Sequence, residues 1–222
     1  MQILTNKIEF PSVETANQYG MVAVGGDLSP ERLLLAYKSG IFPWYSDDEP
    51  IVWYSPDPRM VLFPDKLKVS KSMRQILKKG KFQITVNQAF KEVISNCKTV
   101  NRTAQGETGT WITDEMKDAY IKLHKLGIAK SVEVWVLDAE RSRSEQKYKL
   151  VGGLYGLEIN DIFCGESMFS DVSNASKVAF VHLVQHHNYK LIDCQVYNDH
   201  LASLGAEEIS RNEFLRFVLQ GT

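Results

Sequence analysis

Three apolar stretches, at 132–136, 150–157 and 162–166, follow one another with no helical segment between them, and no other feature limits the possible folds of this chain as tightly. Val132, Val134 and Val136 alternate with Glu133 and Trp135, the period-two pattern of a strand with two unlike faces. Strands that succeed one another without a crossover helix pair antiparallel, so these three form a meander. Its apolar faces need cover. Ser29 and Pro30 open a short helix that Gly40 stops, and residues 71–79 form another with Met73, Ile76 and Leu77 on one face. Asn87 caps a helix that turns Phe90, Val93, Ile94 and Cys97 inward, and Thr113 caps one striped by Met116, Tyr120, Leu123 and Leu126. Residues 174–188 make a fifth helix, and Ser210 with Glu213 is a capping box for a last. With further strands at 82–86 and 191–196, the expected fold is α+β: a mixed, mostly antiparallel sheet flanked by helices, with a small N-terminal domain.

At 222 residues and 44% hydrophobic the chain can bury a full core without staples. Cys97, Cys164 and Cys194 are odd in number and include no Cys-x-x-Cys pair, which speaks against a disulfide framework and a zinc site. No signal pattern opens the chain and no apolar run approaches the ~18 residues of a membrane span, so a cytoplasmic protein without membrane contact is expected. Its net charge of -1 hides an asymmetry. Residues 1–60 carry four basic against eight acidic side chains, after which Lys66, Lys68, Lys71, Arg74, Lys78, Lys79 and Lys81 follow almost unopposed. An acidic and a basic surface suit two partners of opposite charge, although a solvated face has the same pattern. The composition shift near Pro64 divides the chain into domains at 1–63 and 64–222.

The strand at 191–196 carries Asp193 and Gln195, two polar groups on one face of an otherwise apolar run, where each would cost about 1–3 kcal/mol if buried unpaired. Four readings compete. The pair holds a neighbouring loop or helix end; or Cys194 is a nucleophile served by His200, which alternation weakens by turning Cys194 toward the core; or Asp193, Asp199 and His200 bind a metal, at a spacing that matches no familiar ligand set. The fourth joins this strand to Phe163, Gly165, Glu166 and Met168 at the end of another. Glu166, Asp193 and Gln195 then converge beside Phe163, Met168 and Ile192 as a pocket with an apolar wall and a polar floor.

The segments Val24-Gly-Gly-Asp-Leu-Ser-Pro30, Gly40-Ile-Phe-Pro-Trp44, Trp53-Tyr-Ser-Pro-Asp-Pro-Arg59, Gly109-Thr-Trp-Ile112, Gly152-Gly-Leu-Tyr-Gly156, Phe163-Cys-Gly-Glu-Ser-Met-Phe-Ser170, Asn174-Ala-Ser-Lys177 and Leu191-Ile-Asp-Cys-Gln195 resemble, in this order, the leucyl/phenylalanyl-tRNA–protein transferase family. The resemblance implies a GNAT-like C-terminal domain and transfer of Leu, Phe or, less well, Met from aminoacyl-tRNA to proteins with N-terminal Arg or Lys, marking them for degradation. It places the aminoacyl side chain among Trp44, Trp111, Leu154, Phe163, Met168 and Ile192, with Glu166, Asp193 and Gln195 at the reacting end, and the tRNA backbone on Lys71, Arg74, Lys78 and Lys79. A monomer is expected. Converting an ester to an amide needs no ATP, and the glycine-rich loop that would hold coenzyme A is not evident at 173–177, so no cofactor is expected. Asp47, Asp48 and Glu49 are candidates for meeting the cationic first residue of the acceptor, and equally read as a solvated turn.

Overall fold

The computed structural model describes residues 2–99, 112–138 and 147–219. Strands β1 (Gln2–Leu4), β2 (Met21–Gly25), β3 (Phe42–Pro43) and β4 (Val52–Tyr54) form a small sheet in the order β1-β2-β4-β3. The sequence shows this aromatic region only as loop, because strands of two or three residues are too short to display a period. Its rings pack as a core, as so many aromatics in one stretch suggest. Trp53 is fully buried, donates from Nε1 to the Gly25 carbonyl oxygen at 2.9 Å, and meets Phe10 edge-on at 4.8 Å. Helix α1 (Pro30–Lys38) lies between β2 and β3, with the Ser29 hydroxyl accepting the Arg32 N–H. Gly40 ends the turn with φ +73°, and a Cβ there would stand 2.6 Å from Leu215.

The larger sheet contains β5 (Arg59–Leu62), β6 (Gln83–Val86), β7 (Ala129–Leu137), β8 (Tyr148–Ile159), β9 (Ile162–Ser170), β10 (Leu191–Gln195) and β11 (Glu207–Ile209), in the order β11-β5-β10-β9-β8-β7-β6. The antiparallel meander β7-β8-β9 follows the sequence pattern, and β9 with β10 is a parallel pair. Helices α2 (Lys71–Lys78), α3 (Phe90–Thr99), α4 (Asp114–Lys125), α5 (Ala175–His186), α6 (Asp199–Ser203) and α7 (Arg211–Leu219) complete the fold. On one face Val93, Ile94, Met116 and Leu123 pack against Tyr155 and Leu157, in a core continuous with Leu33 and Ala36 of α1. On the other, Val178 and Leu183 of α5 and Met73 of α2 cover Val132, Leu154 and Ile192.

Met60, Val61 and Leu62 are buried on β5 within the larger sheet. Two expectations about helix ends fall to tertiary context. Asn87 turns its carboxamide oxygen to the Ser131 N–H at 2.9 Å, while the Ala89 N–H at the start of α3 is met by the buried Glu133 carboxylate. Leu126 follows α4 as its cap and is exposed, outside the stripe.

Candidate active site

Strands β9 and β10 run side by side only from Leu191 opposite Ile162 to Asp193 opposite Cys164. Beyond that point β9 continues along β8 to Ser170, whereas β10 breaks register at Gln195, whose φ is +65°. The bulge makes the parallel strands part, and the gap between their C-terminal ends is where open sheets bind ligands. A cavity of about 480 Å³ lies there. Gly156 allows β8 to approach closely beside it: a Cβ at that position would stand 2.2 Å from the Cys164 carbonyl oxygen and 2.7 Å from the Phe163 ring.

Leu154, Phe163, Met168 and Ile192, joined by Phe180 and Leu183 from α5, make the apolar wall of the cavity. Trp44 stands at its mouth with its ring 5.7 Å from that of Tyr54. Glu166, Asp193 and Gln195 form the polar end. One crevice thus gathers the anticipated residues, except Trp111, which lies outside the described residues.

The polar end is a continuous network. Asp193 is fully buried and takes two hydrogen bonds from Arg59, at 2.8 Å from Nε and 2.6 Å from Nη2. Arg59 is buried too, its guanidinium 4.6 Å from the ring centres of both Phe42 and Phe214, with Nη1 donating to the Gly40 carbonyl oxygen at 3.4 Å. Asp193 Oδ1 also accepts the Gln195 backbone N–H at 2.9 Å. Gln195 Nε2 donates to Glu166 Oε1 at 2.8 Å. The Tyr37 hydroxyl of α1 is hydrogen-bonded to the same oxygen at 2.7 Å and the Tyr120 hydroxyl of α4 to Oε2 at 2.9 Å, and the two tyrosine hydroxyls are in hydrogen-bond contact with each other. Burial lifts the Glu166 carboxyl to about 7; the tyrosine bonds oppose that rise and the Asp193 charge adds to it. Burial, and then the charge of Glu166, hold both tyrosines well above their ordinary range.

Sequence reasoning missed Arg59, Tyr37 and Tyr120. A lone arginine heading the apolar run 60–63 was the available signal for the first. Tyr37 and Tyr120 sit at core positions of amphipathic helices, where a ring reads as packing and nothing local discloses what its hydroxyl reaches.

The competing readings lose ground. Cys194 is partly exposed in the crevice rather than sealed in the core, since the bulge opens the strand beside it, but burial and then the Asp193 charge push its thiol up, away from the nucleophilic thiolate. Asp193 is engaged by Arg59, and among the described residues no group of three His, Cys, Asp or Glu is placed to hold a metal ion. Helix α2 buries Met73 in the same cluster as α5 and leaves Lys71, Arg74, Lys78 and its cap Lys79 exposed, none of them in an ion pair among the described residues. Asp47, Asp48 and Glu49 are exposed, and Glu49 accepts the Ser46 N–H at 3.0 Å.

Comparison with known proteins shows the family. A family model described as leucyl/phenylalanyl-tRNA protein transferase matches residues 61–219, and the model of its N-terminal domain matches 26–57. Leucyl/phenylalanyl-tRNA–protein transferases of Flavobacterium johnsoniae and Flavobacterium psychrophilum are 58% and 53% identical to this chain, each over 98% of it and 99% of their own length. That of Yersinia enterocolitica is 50% identical over 99% of this chain and 89% of its own. Among solved structures, FemX superposes with a TM-score of 0.50 at 10% identity, covering 82% of this chain and 66% of that one, a likeness of fold alone. The chain belongs to the leucyl/phenylalanyl-tRNA–protein transferase family and is an aminoacyltransferase.

Proposed function

We propose that this chain moves leucine, phenylalanine and less readily methionine from tRNA to the α-amine of proteins beginning with Arg or Lys, marking them for degradation, as a monomer in the cytoplasm. The observation that carries the reading is the apolar cavity closed at one end by Glu166, Asp193 and Gln195. Side chains unbranched at Cβ fit such a slot, whereas Ile and Val are stiff at χ1. Because one methylene is worth about 1–3 kcal/mol, discrimination among Leu, Phe and Met is modest.

The acceptor amine, with an ordinary pKa near 8, attacks unprotonated. Gln195 spends its carboxamide nitrogen on Glu166, which leaves the carboxamide oxygen to receive that amine. Asp193 fixes Gln195 through the backbone N–H and is itself neutralised by Arg59, so it serves alignment more than charge. Lys71, Arg74, Lys78 and Lys79, on the sheet face that also carries α5, hold tRNA phosphates without reading sequence.

Labelled leucyl-tRNA incubated with an Arg-initiated peptide tests the proposal. An extended peptide is expected without ATP or added metal, and none when the first residue is Asp. Failure of the Arg peptide to be extended, or equal extension of both, refutes it.

A further inference from the structure

Three oxygen-to-oxygen contacts link Tyr37, Tyr120 and Glu166 into a closed ring, yet the two hydroxyls bring only two protons. If Glu166 is ionised, both tyrosines donate to it and nothing lies between their own oxygens. With one proton on the carboxyl, every contact has its hydrogen: Glu166 Oε2 donates to Tyr120, Tyr120 to Tyr37, and Tyr37 to Oε1, which still accepts from Gln195. The ring therefore has room for a third proton. Asp193 has none to spare, since Oδ1 accepts from Arg59 and from the Gln195 N–H and Oδ2 accepts from Arg59.

We propose that Glu166 is the group that takes up and returns the proton during aminoacyl transfer, and that Tyr37 and Tyr120 are positioning residues that hold its carboxyl group in place and ease release of that proton. The proposal rests on the transfer reaction above. The acceptor nitrogen forms a bond to the ester carbonyl carbon, the bond from that carbon to the ribose oxygen breaks, and the proton lost by nitrogen passes through Glu166 to the departing ribose oxygen. Glu166 lines the crevice and is partly exposed, whereas Tyr37 and Tyr120 are buried behind it. The titratable and charged groups around this carboxyl are Tyr37 on α1, Tyr120 on α4, Tyr155 on β8 beside Tyr120, Cys164 on β9, Asp193 on β10 and, paired with it, Arg59 on β5.

The test is the pH profile of single-turnover transfer from leucyl-tRNA to an Arg-initiated peptide, with the peptide amine titrated separately by NMR. In the wild-type protein the rate rises with pH through about 7, where Glu166 loses its proton. Glu166→Gln removes that limb and leaves only the limb of the amine. Tyr37→Phe and Tyr120→Phe each delete a donor to the carboxylate and move the limb upward by roughly one pH unit. Infrared spectra give a readout independent of turnover: a carboxylic-acid carbonyl band present between pH ~5 and pH ~7 in the wild type and missing from that window in Glu166→Gln. A limb that survives Glu166→Gln, a limb unmoved in both folded tyrosine variants, or absence of the acid band overturns the proposal. A wild-type protein that extends no peptide refutes the transfer reaction itself, a separate outcome.

Discussion

Arg59 grips Asp193 with two prongs, 2.8 Å from Nε to Oδ1 and 2.6 Å from Nη2 to Oδ2, and both side chains are sealed from solvent. Removing one partner of such a pair strands a buried charge, so Arg59→Met should destabilise the protein by about 3–5 kcal/mol in denaturant melts. Adding Asp193→Asn should recover part of that loss. Arg59→Lys keeps the charge without the fork and should fall between. Equal stability of Arg59→Met and the wild type would show that the pair contributes nothing.

Glu166 makes stability fall with pH. Its folded value near 7 stands above the unfolded 4.5, so between these the native state binds more protons than the unfolded one, and raising pH across the window weakens folding. Glu166→Gln lacks this term. Its stability relative to the wild type should improve from pH ~5 to pH ~8 when both are unfolded in urea.

Gly156 has no room for a side chain. Gly156→Ala should cost about 1–3 kcal/mol through overpacking against Cys164 and Phe163, read as a lowered melting temperature, and should narrow the crevice enough to raise KM for leucyl-tRNA.

Neutralising Lys71, Arg74, Lys78 and Lys79 together should leave the melt within about 0.5 kcal/mol of wild type, because all four are exposed. Affinity for tRNA should drop, and the slope of log affinity against log salt should flatten by about 0.7–0.9 for each phosphate no longer neutralised. An unchanged slope removes these residues from the tRNA surface.

Period-two alternation disclosed the meander, and the apolar residues of β9 and β10 disclosed the wall of the crevice, because both are written in consecutive positions of single strands. Arg59, Tyr37 and Tyr120 were hidden for the opposite reason. Their partners lie 134, 129 and 46 residues away, and each sits where local pattern already explains it as strand end or helix core. Gln195 was legible as a polar residue, but alternation alone could not foresee its positive φ, which comes from the bulge against β5. The ring at Glu166 exists only once three separate elements are assembled.

One of those elements, α1, is contributed by the smaller lobe, together with the nearby Trp44. A gene fragment encoding only the stretch from β5 onward would still specify the whole large sheet and the greasy slot, but its acidic end would be missing Tyr37. The N-terminal lobe is thus no detachable appendage, and hybrids built by exchanging lobes between relatives should work only where that tyrosine arrives intact.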